Sequence, residues 1–258
     1  MPLNFPTENI ENPPLFSTQT EAIKVAADNG YRLIRGVQGA WLRFGSTTAP
    51  CDIFIAYTFA GEWLLSIEHS GVAREFPVSK LPGPGSKTIA ARTLYELHQA
   101  LDRTYHLSIS LPTVPLVAFE HETADLPRTT EAERLVVMRV GQEIFRKALM
   151  DYWNGTCPLT GITDPALLRA SHIVPWAECE TDSLRLDVYN GFLLSSLWDA
   201  VFDAGLISFK NDGTPLVSSA LSVNALRALR LNELPVLKGI TPAHDLMLAR
   251  HRAKNNLL

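Results

Sequence analysis

The chain has little cysteine: three in 258 residues, Cys51, Cys157 and Cys179. That is too few for a disulfide scaffold or a four-cysteine zinc site, and an odd number leaves one thiol unpaired. A reducing, cytoplasmic setting is the expectation. No apolar run approaches the roughly 18 residues that a membrane-crossing helix needs. The opening MPLNFPTENIENPP lacks the charged-then-apolar pattern of a secretion signal. An excess of positive charge is missing too, since 23 Lys and Arg face 27 Asp and Glu for a net charge of −4. This excludes a strongly basic nucleic-acid coat protein and leaves room for an enzyme with a local basic cleft. There is no G-x-x-x-x-G-K-[ST] loop for ATP-driven motion and no G-x-S-x-G elbow for a serine hydrolase. Internal repeats and low-complexity segments are absent as well.

What is present is a hydrophobic fraction of 46%, enough for a sizeable core in one large domain or two small ones. Residues 1–15, with four prolines, read as a flexible arm. Residues 16–111 read as a small α+β domain with a mostly antiparallel sheet. Its helix starts near Ser17 and stops at Asn29-Gly30. Strand-like runs follow at Ala40 to Phe44, Ile53 to Phe59, Trp63 to Ile67 and Val72 to Val78. A helix is expected over 87–104, from the spacing of Leu94, Leu97, His98 and Leu101. This domain is the candidate for substrate selection, with Arg32, Arg35, Trp41, Arg43 and Trp63 as its exposed candidates. Residues 112–129 carry three prolines and an acidic patch and read as a linker. Up to residue 127 there are nine Lys and Arg against thirteen Asp and Glu, and beyond it fourteen of each.

The last domain is expected over 130–258. Thr130 and Glu133 form a T-x-x-E capping box for a long helix that Asn154-Gly155 ends. Short strands, a helix near 196–204, a hairpin around Asn211-Asp212-Gly213, and helices near 222–230 and 241–253 follow. One constellation here carries chemistry. It runs through Cys157-Pro-Leu-Thr-Gly161, Leu168-Arg-Ala-Ser-His172-Ile-Val-Pro-Trp176, Arg185-Leu-Asp187, Asn190-Gly191 and Trp198-Asp199-Ala-Val-Phe202-Asp203. A histidine between short strands and a carboxylate-bearing helix suits metal-assisted hydrolysis. Neutral imidazole can take a proton from water near pH 7, and a carboxylate can hold a hard divalent cation.

The stretch from about 131 to 220 resembles the HNH nuclease family, in the branch with C-x-x-T-G … A-S-H-I-x-P-W … R-L-D-x-x-N-G … D-A-x-F-D-x-G-L-I-S-F. The resemblance implies an α+β chain whose last domain is a ββα-metal nuclease with flanking helices. It implies that His172 activates water, that Asn190 on the second strand braces the histidine loop, and that Asp199 on the helix binds metal, Mg²⁺ or Mn²⁺. The third position is Asp rather than His. Ser171 stands where many relatives carry an Asp or His ligand, which leaves the metal one ligand short. Asp203, one turn beyond Asp199, and His251 are the candidates to complete it. Paired C-x-x-C knuckles are missing, so Cys157 reads as a packed thiol.

Arg139, Gln142, Arg146, Arg169 and Arg185 are candidate DNA contacts, because guanidinium pairs bidentately with phosphate oxygens. The bland readings stand beside these. Asn190-Gly191 is also a hairpin dipeptide, Asp199 could merely cap its helix, and Trp176 packs beneath the histidine loop. The expected activity is metal-dependent DNA endonuclease cleavage of restriction or defence type, by a cytoplasmic protein with no membrane partner. A homodimer would supply two active sites. The rival is a non-catalytic nucleic-acid-binding module on the same scaffold, and a nuclease toxin is a third possibility.

Overall fold

The computed structural model describes residues 9–233 and 235–257. The chain divides into a unit ending at Ile109 and another starting at Ser110. In the first, helix α1 (Phe16–Asp28) precedes strands β1 (Leu33–Gln38), β2 (Trp41–Gly45), β3 (Ile53–Tyr57), β4 (Trp63–Ile67) and β5 (Lys87–Ala91). They pair antiparallel in sequence order. Helix α2 (Ser70–Arg74) separates β4 from β5, and α3 (Leu94–Ser110) follows. Strands β3 and β4 are almost wholly buried and, Ser66 apart, largely apolar because both faces of the sheet are covered. Ile53 and Ile55 on one side and Phe54 and Ala56 on the other are all buried.

Several expectations for this unit are corrected. The run from Val72 to Val78 is not a strand. Its start belongs to α2, whose first amides, Gly71 and Val72, donate to Nδ1 of His69 at 3.1 and 3.3 Å. The expected helix over 87–104 begins late, since Lys87–Ala91 is strand β5 and Ile89 stands opposite Leu65. Strand β1 was not expected at all. It is an edge strand, mostly exposed, with a register shift between Ile34 and Gly36, so it carries no clean alternation. Of the expected arm, residues 1–8 lie outside the described residues. The remainder is anchored: Ile10 bridges to Thr58, and the Glu11 carboxylate accepts from the Thr18 hydroxyl at 2.7 Å. Trp41 and Trp63 are core residues, 7% and 4% exposed, not surface candidates. Arg43 pairs with Asp52 at 2.7 Å and Arg35 approaches the same carboxylate at 3.9 Å, so that basic run is largely neutralised.

The second unit holds α4 (Thr113–Thr123), α5 (Glu131–Tyr152), β6 (Leu168–His172), α6 (Asp182–Arg185), β7 (Gly191–Ser195) and α7 (Ser196–Asp203). The hairpin β8 (Ile207–Phe209) and β9 (Pro215–Val217), then α8 (Val223–Ala228) and α9 (Asp245–Lys254), complete it. The stretch 112–129, expected as a linker, contains α4, which packs along α5 and buries Phe119 and Thr123. Pro115 does not prevent this, because it lies in the first turn, where an amide N–H has no helical partner. Helix α5 opens on the expected capping box, with the Glu133 amide donating to Thr130 Oγ1 at 3.2 Å and the Thr130 amide donating to the Glu133 carboxylate at 2.9 Å. Strands β6 and β7 pair antiparallel, with α7 against both and α5 against both. The core around them includes Phe192, Leu194, Trp198, Phe202, Phe209 and Leu248. Every one of these is an apolar side chain at least nine-tenths buried, the main source of stability in such a unit.

Candidate active site

His172 is the last residue of β6 and stands opposite Gly191, the first of β7. Its ring lies flat on Phe145 of α5, centroids 3.8 Å apart, and meets the edge of Trp176 at 5.7 Å. Two glycines permit this. A Cβ on Gly191 would come within 2.5 Å of the Phe145 ring and 3.0 Å of Leu149, and one on Gly141 would come within 2.3 Å of Trp176. Asn190-Gly191 is therefore not a hairpin turn. Gly191 is extended, φ −160, and it is glycine because α5 passes too close for a side chain.

Nε2 of His172 lies 2.9 Å from the carbonyl of Arg185. A carbonyl only accepts, so Nε2 carries the proton and Nδ1 holds the lone pair. Burial pulls the imidazole below its ordinary value, against the Arg185 carbonyl and the nearby Asp203 carboxylate, which both favour the charged form. The ring is thus neutral near pH 7.

Asn190 is wholly buried behind this histidine. Its Oδ1 accepts from the Val174 amide at 2.8 Å, and its Nδ2 donates to the carbonyls of Val174 at 3.2 Å and Leu184 at 3.1 Å. Its own carbonyl accepts from the Ile173 amide at 2.9 Å. One side chain thereby ties both ends of the 173–184 loop. Asp187 caps the turn that carries Asn190, accepting from the Tyr189 amide at 2.9 Å, and burial pushes its carboxyl up to about 6.

Ser171, on the opposite side of the strand from His172, donates its hydroxyl to Oδ1 of Asp199 in the first turn of α7. Asp199 is not a helix cap: α7 has no side-chain cap hydrogen bond. Asp203 is exposed, one turn further along α7. Among the described residues no three His, Cys, Asp or Glu side chains converge as a metal cluster.

His251 is corrected as a metal candidate. Its Nδ1 is 2.9 Å from Ser208 Oγ, its Nε2 is 3.2 Å from the Phe202 carbonyl, and its ring stacks on Phe202 at 4.2 Å. With both nitrogens engaged, it is a core residue. The arginines divide similarly. Arg146 donates to the carbonyls of Leu168 and Pro165, both at 2.9 Å, and Arg169 to Ala166 at 2.9 Å and Leu168 at 3.0 Å. Arg185 donates to the Trp176 and Cys179 carbonyls and pairs with Asp182 at 2.8 Å. These three brace the backbone around β6 and the histidine loop. Arg139 and Gln142 are exposed on α5 and have no partner among the described residues.

Residues 157–210 match the family model described as HNH endonuclease. The second unit carries an HNH endonuclease domain. No curated protein matches the chain. An HNH domain brings nuclease chemistry on a nucleic acid, and HNH nucleases generally use a divalent metal ion. The donor chemistry of this HNH domain fits such an ion. The second oxygen of Asp199 and the carboxylate of Asp203 are hard ligands with no hydrogen bond or ion pair among the described residues. A Mg²⁺-like cation keeps several waters and needs only one or two carboxylates beside substrate phosphate. No helix among the described residues is long and apolar enough to cross a membrane.

Two residues that shape the site, Phe145 and Asp187, were not among the expected site residues. His244 is fully buried, stacks on Phe192 at 5.7 Å, and is held by burial at about 4. The R-L-D motif was a signal for Asp187. Helical periodicity gave none for the stacking role of Phe145.

Proposed function

We propose that the protein is a metal-dependent DNA endonuclease of restriction or defence type, with His172 as general base and Asp199 as metal ligand. The observation that carries this reading is the geometry of His172: its ring lies on Phe145 and its Nε2 stands 2.9 Å from the Arg185 carbonyl, which leaves Nδ1 with no hydrogen bond among the described residues. Nδ1 takes a proton from water as the water oxygen bonds to phosphorus. The bond from phosphorus to the leaving oxygen breaks, and that oxygen is protonated from solvent. Phe145 and the Arg185 carbonyl hold the ring in its plane, and Asn190 holds the loop that follows. A divalent cation at Asp199, with Asp203 beside it, would supply stabilisation of the charge on the phosphoryl and leaving oxygens. Arg139 and Gln142, one turn apart on α5, are the proposed backbone contacts that remain available. The first unit is proposed to choose the substrate, and two copies to cut both strands.

The test is nicking of supercoiled plasmid, unmodified and modified, with Mg²⁺, Mn²⁺ or EDTA, by the wild type and His172→Ala. Metal-dependent nicking that His172→Ala loses supports the reading. The second reading, a non-catalytic nucleic-acid-binding module, is favoured by one observation: Ser171 already occupies an oxygen of Asp199. DNA binding without nicking under any metal would decide for it.

A further inference from the structure

A groove of about 340 Å³ lies on the second unit between α4, the start of α5 and the histidine loop. Phe119, Val137 and Trp176 form its apolar wall, and Arg128, Arg134 and Arg185 its polar part, with Asp182 the one carboxylate. Asp182 is paired with Arg185, so the charge left over belongs to Arg128 and Arg134. Both are anchored without being neutralised. Arg128 donates to Thr123 Oγ1 at 3.0 Å, and Arg134 donates to the carbonyls of Arg128 and Thr129, each at 3.2 Å. Neither has an ion pair among the described residues, and each guanidinium keeps further N–H donors. Glu133, at the same end of α5, keeps its charge but directs its carboxylate at Thr129 and Thr130 and pairs with neither arginine among the described residues.

The groove shares two residues with the candidate active site. Trp176 lines it and also meets the His172 ring at 5.7 Å. Arg185 lines it, while its carbonyl holds Nε2 of His172. A site with two spare guanidiniums and an aromatic wall, one indole away from the base, is complementary to a phosphate and the base attached to it. We propose that this groove holds the DNA nucleotide next to the phosphodiester at His172, its phosphate on Arg128 and Arg134 and its base against the apolar wall. The inference rests on the nuclease reading and adds to it the residues that set the path of the strand.

The experiment measures binding of the full chain to a fluorescein-labelled DNA duplex in EDTA, across a range of salt, with melting checked for each variant. Arg128→Gln/Arg134→Gln should raise Kd about tenfold and lower the salt slope by about 1, the value for one lost phosphate contact. Arg227→Gln/Lys210→Gln removes the same charge from exposed positions elsewhere in this unit and should change neither. If the first variant does not fold, Val137→Trp, which fills the groove without altering charge, should raise Kd and leave the slope intact. A folded groove variant with wild-type affinity and slope, or a control with an equal loss, overturns the groove while plasmid nicking by the wild type still stands. A wild type that binds no duplex at any salt overturns the nuclease reading and the groove together.

Discussion

At the residue scale the HNH domain separates groups that face the reaction from groups spent on the scaffold. In the proposed mechanism His172 belongs to the first kind, because one nitrogen is fixed on the Arg185 carbonyl and the other is left with its lone pair. His172→Ala should reduce plasmid nicking by roughly 10²–10⁴, the usual contribution of a general base, with the fold kept and some melting temperature lost with the stacking on Phe145. Near-wild-type turnover would sink the assignment. Asp199→Ala should lower activity and raise the metal concentration needed, and should also lower the melting temperature, since it leaves the buried Ser171 hydroxyl without its acceptor. A metal requirement unchanged in that variant would remove Asp199 from the site. Two buried groups titrate in opposite senses. His244 sits at about 4 in the fold against an ordinary 6.5. Between those values the unfolded chain takes the proton first, so this contribution is full above pH 6.5 and is lost towards pH 4. Asp187 is raised from 3.8 to about 6, so over that window the folded state takes the proton first and stability rises as pH falls. Asp187→Asn keeps the acceptor for the Tyr189 amide and removes the titration. Denaturant midpoints at pH 7 and pH 4.5 should then show a steeper acid loss than the wild type, and an equal or shallower loss would refute the opposition.

At the scale of elements, α5 is the platform of the site rather than a preceding spacer. Phe145 lies beneath the imidazole, and Gly191 lets the helix approach. Gly191→Ala should therefore cost about 1–3 kcal/mol, the usual range for overpacking a filled core, and should disturb His172 as Phe145 shifts. Chemical denaturation reads the first effect and nicking the second. An alanine variant with wild-type stability would mean that the close approach of α5 is not needed. The same element shows why some of the sequence reading succeeded. The capping box of Thr130 and Glu133 is local in sequence, and it starts the helix where expected. Strands β1 and β5 were missed because what makes them strands is pairing with β2 and β4, and neither shows a clean period of two.

At the scale of the molecule, the division near Ile109 and Ser110 leaves α4 with the nuclease unit. A fragment starting at Ser110 should fold and retain nicking, whereas one starting at Thr129 lacks α4 and exposes the part of α5 it covers. Melting temperature and nicking of the two fragments, measured side by side, check this. Equal stability would show that α4 is dispensable and that the boundary lies after it. Substrate choice by the first unit cannot rest on Arg35 and Arg43 as a bare basic run, because Asp52 and Glu68 stand against them.

The sequence by itself determined the order β6, β7, α7 and the placing of His172 and Asp199 within it, whereas Asn190, expected on the second strand, lies in the turn just before β7. Motif spacing is a local property, and short strands leading into a short helix leave few ways to fold. It also made Cys157 a packed thiol, which the structure shows buried and accepting from the Ser195 amide at 3.3 Å. Only the tertiary structure decided how each polar group is spent. Arg146, Arg169 and Arg185 look the same in sequence as Arg139, yet the first three end against backbone carbonyls that no spacing rule locates. His251 reads as a free imidazole until Ser208 and Phe202, more than forty residues earlier, take both its nitrogens. The reason is physical: a buried donor or acceptor must find a partner, and which partner reaches it is set by packing between distant segments.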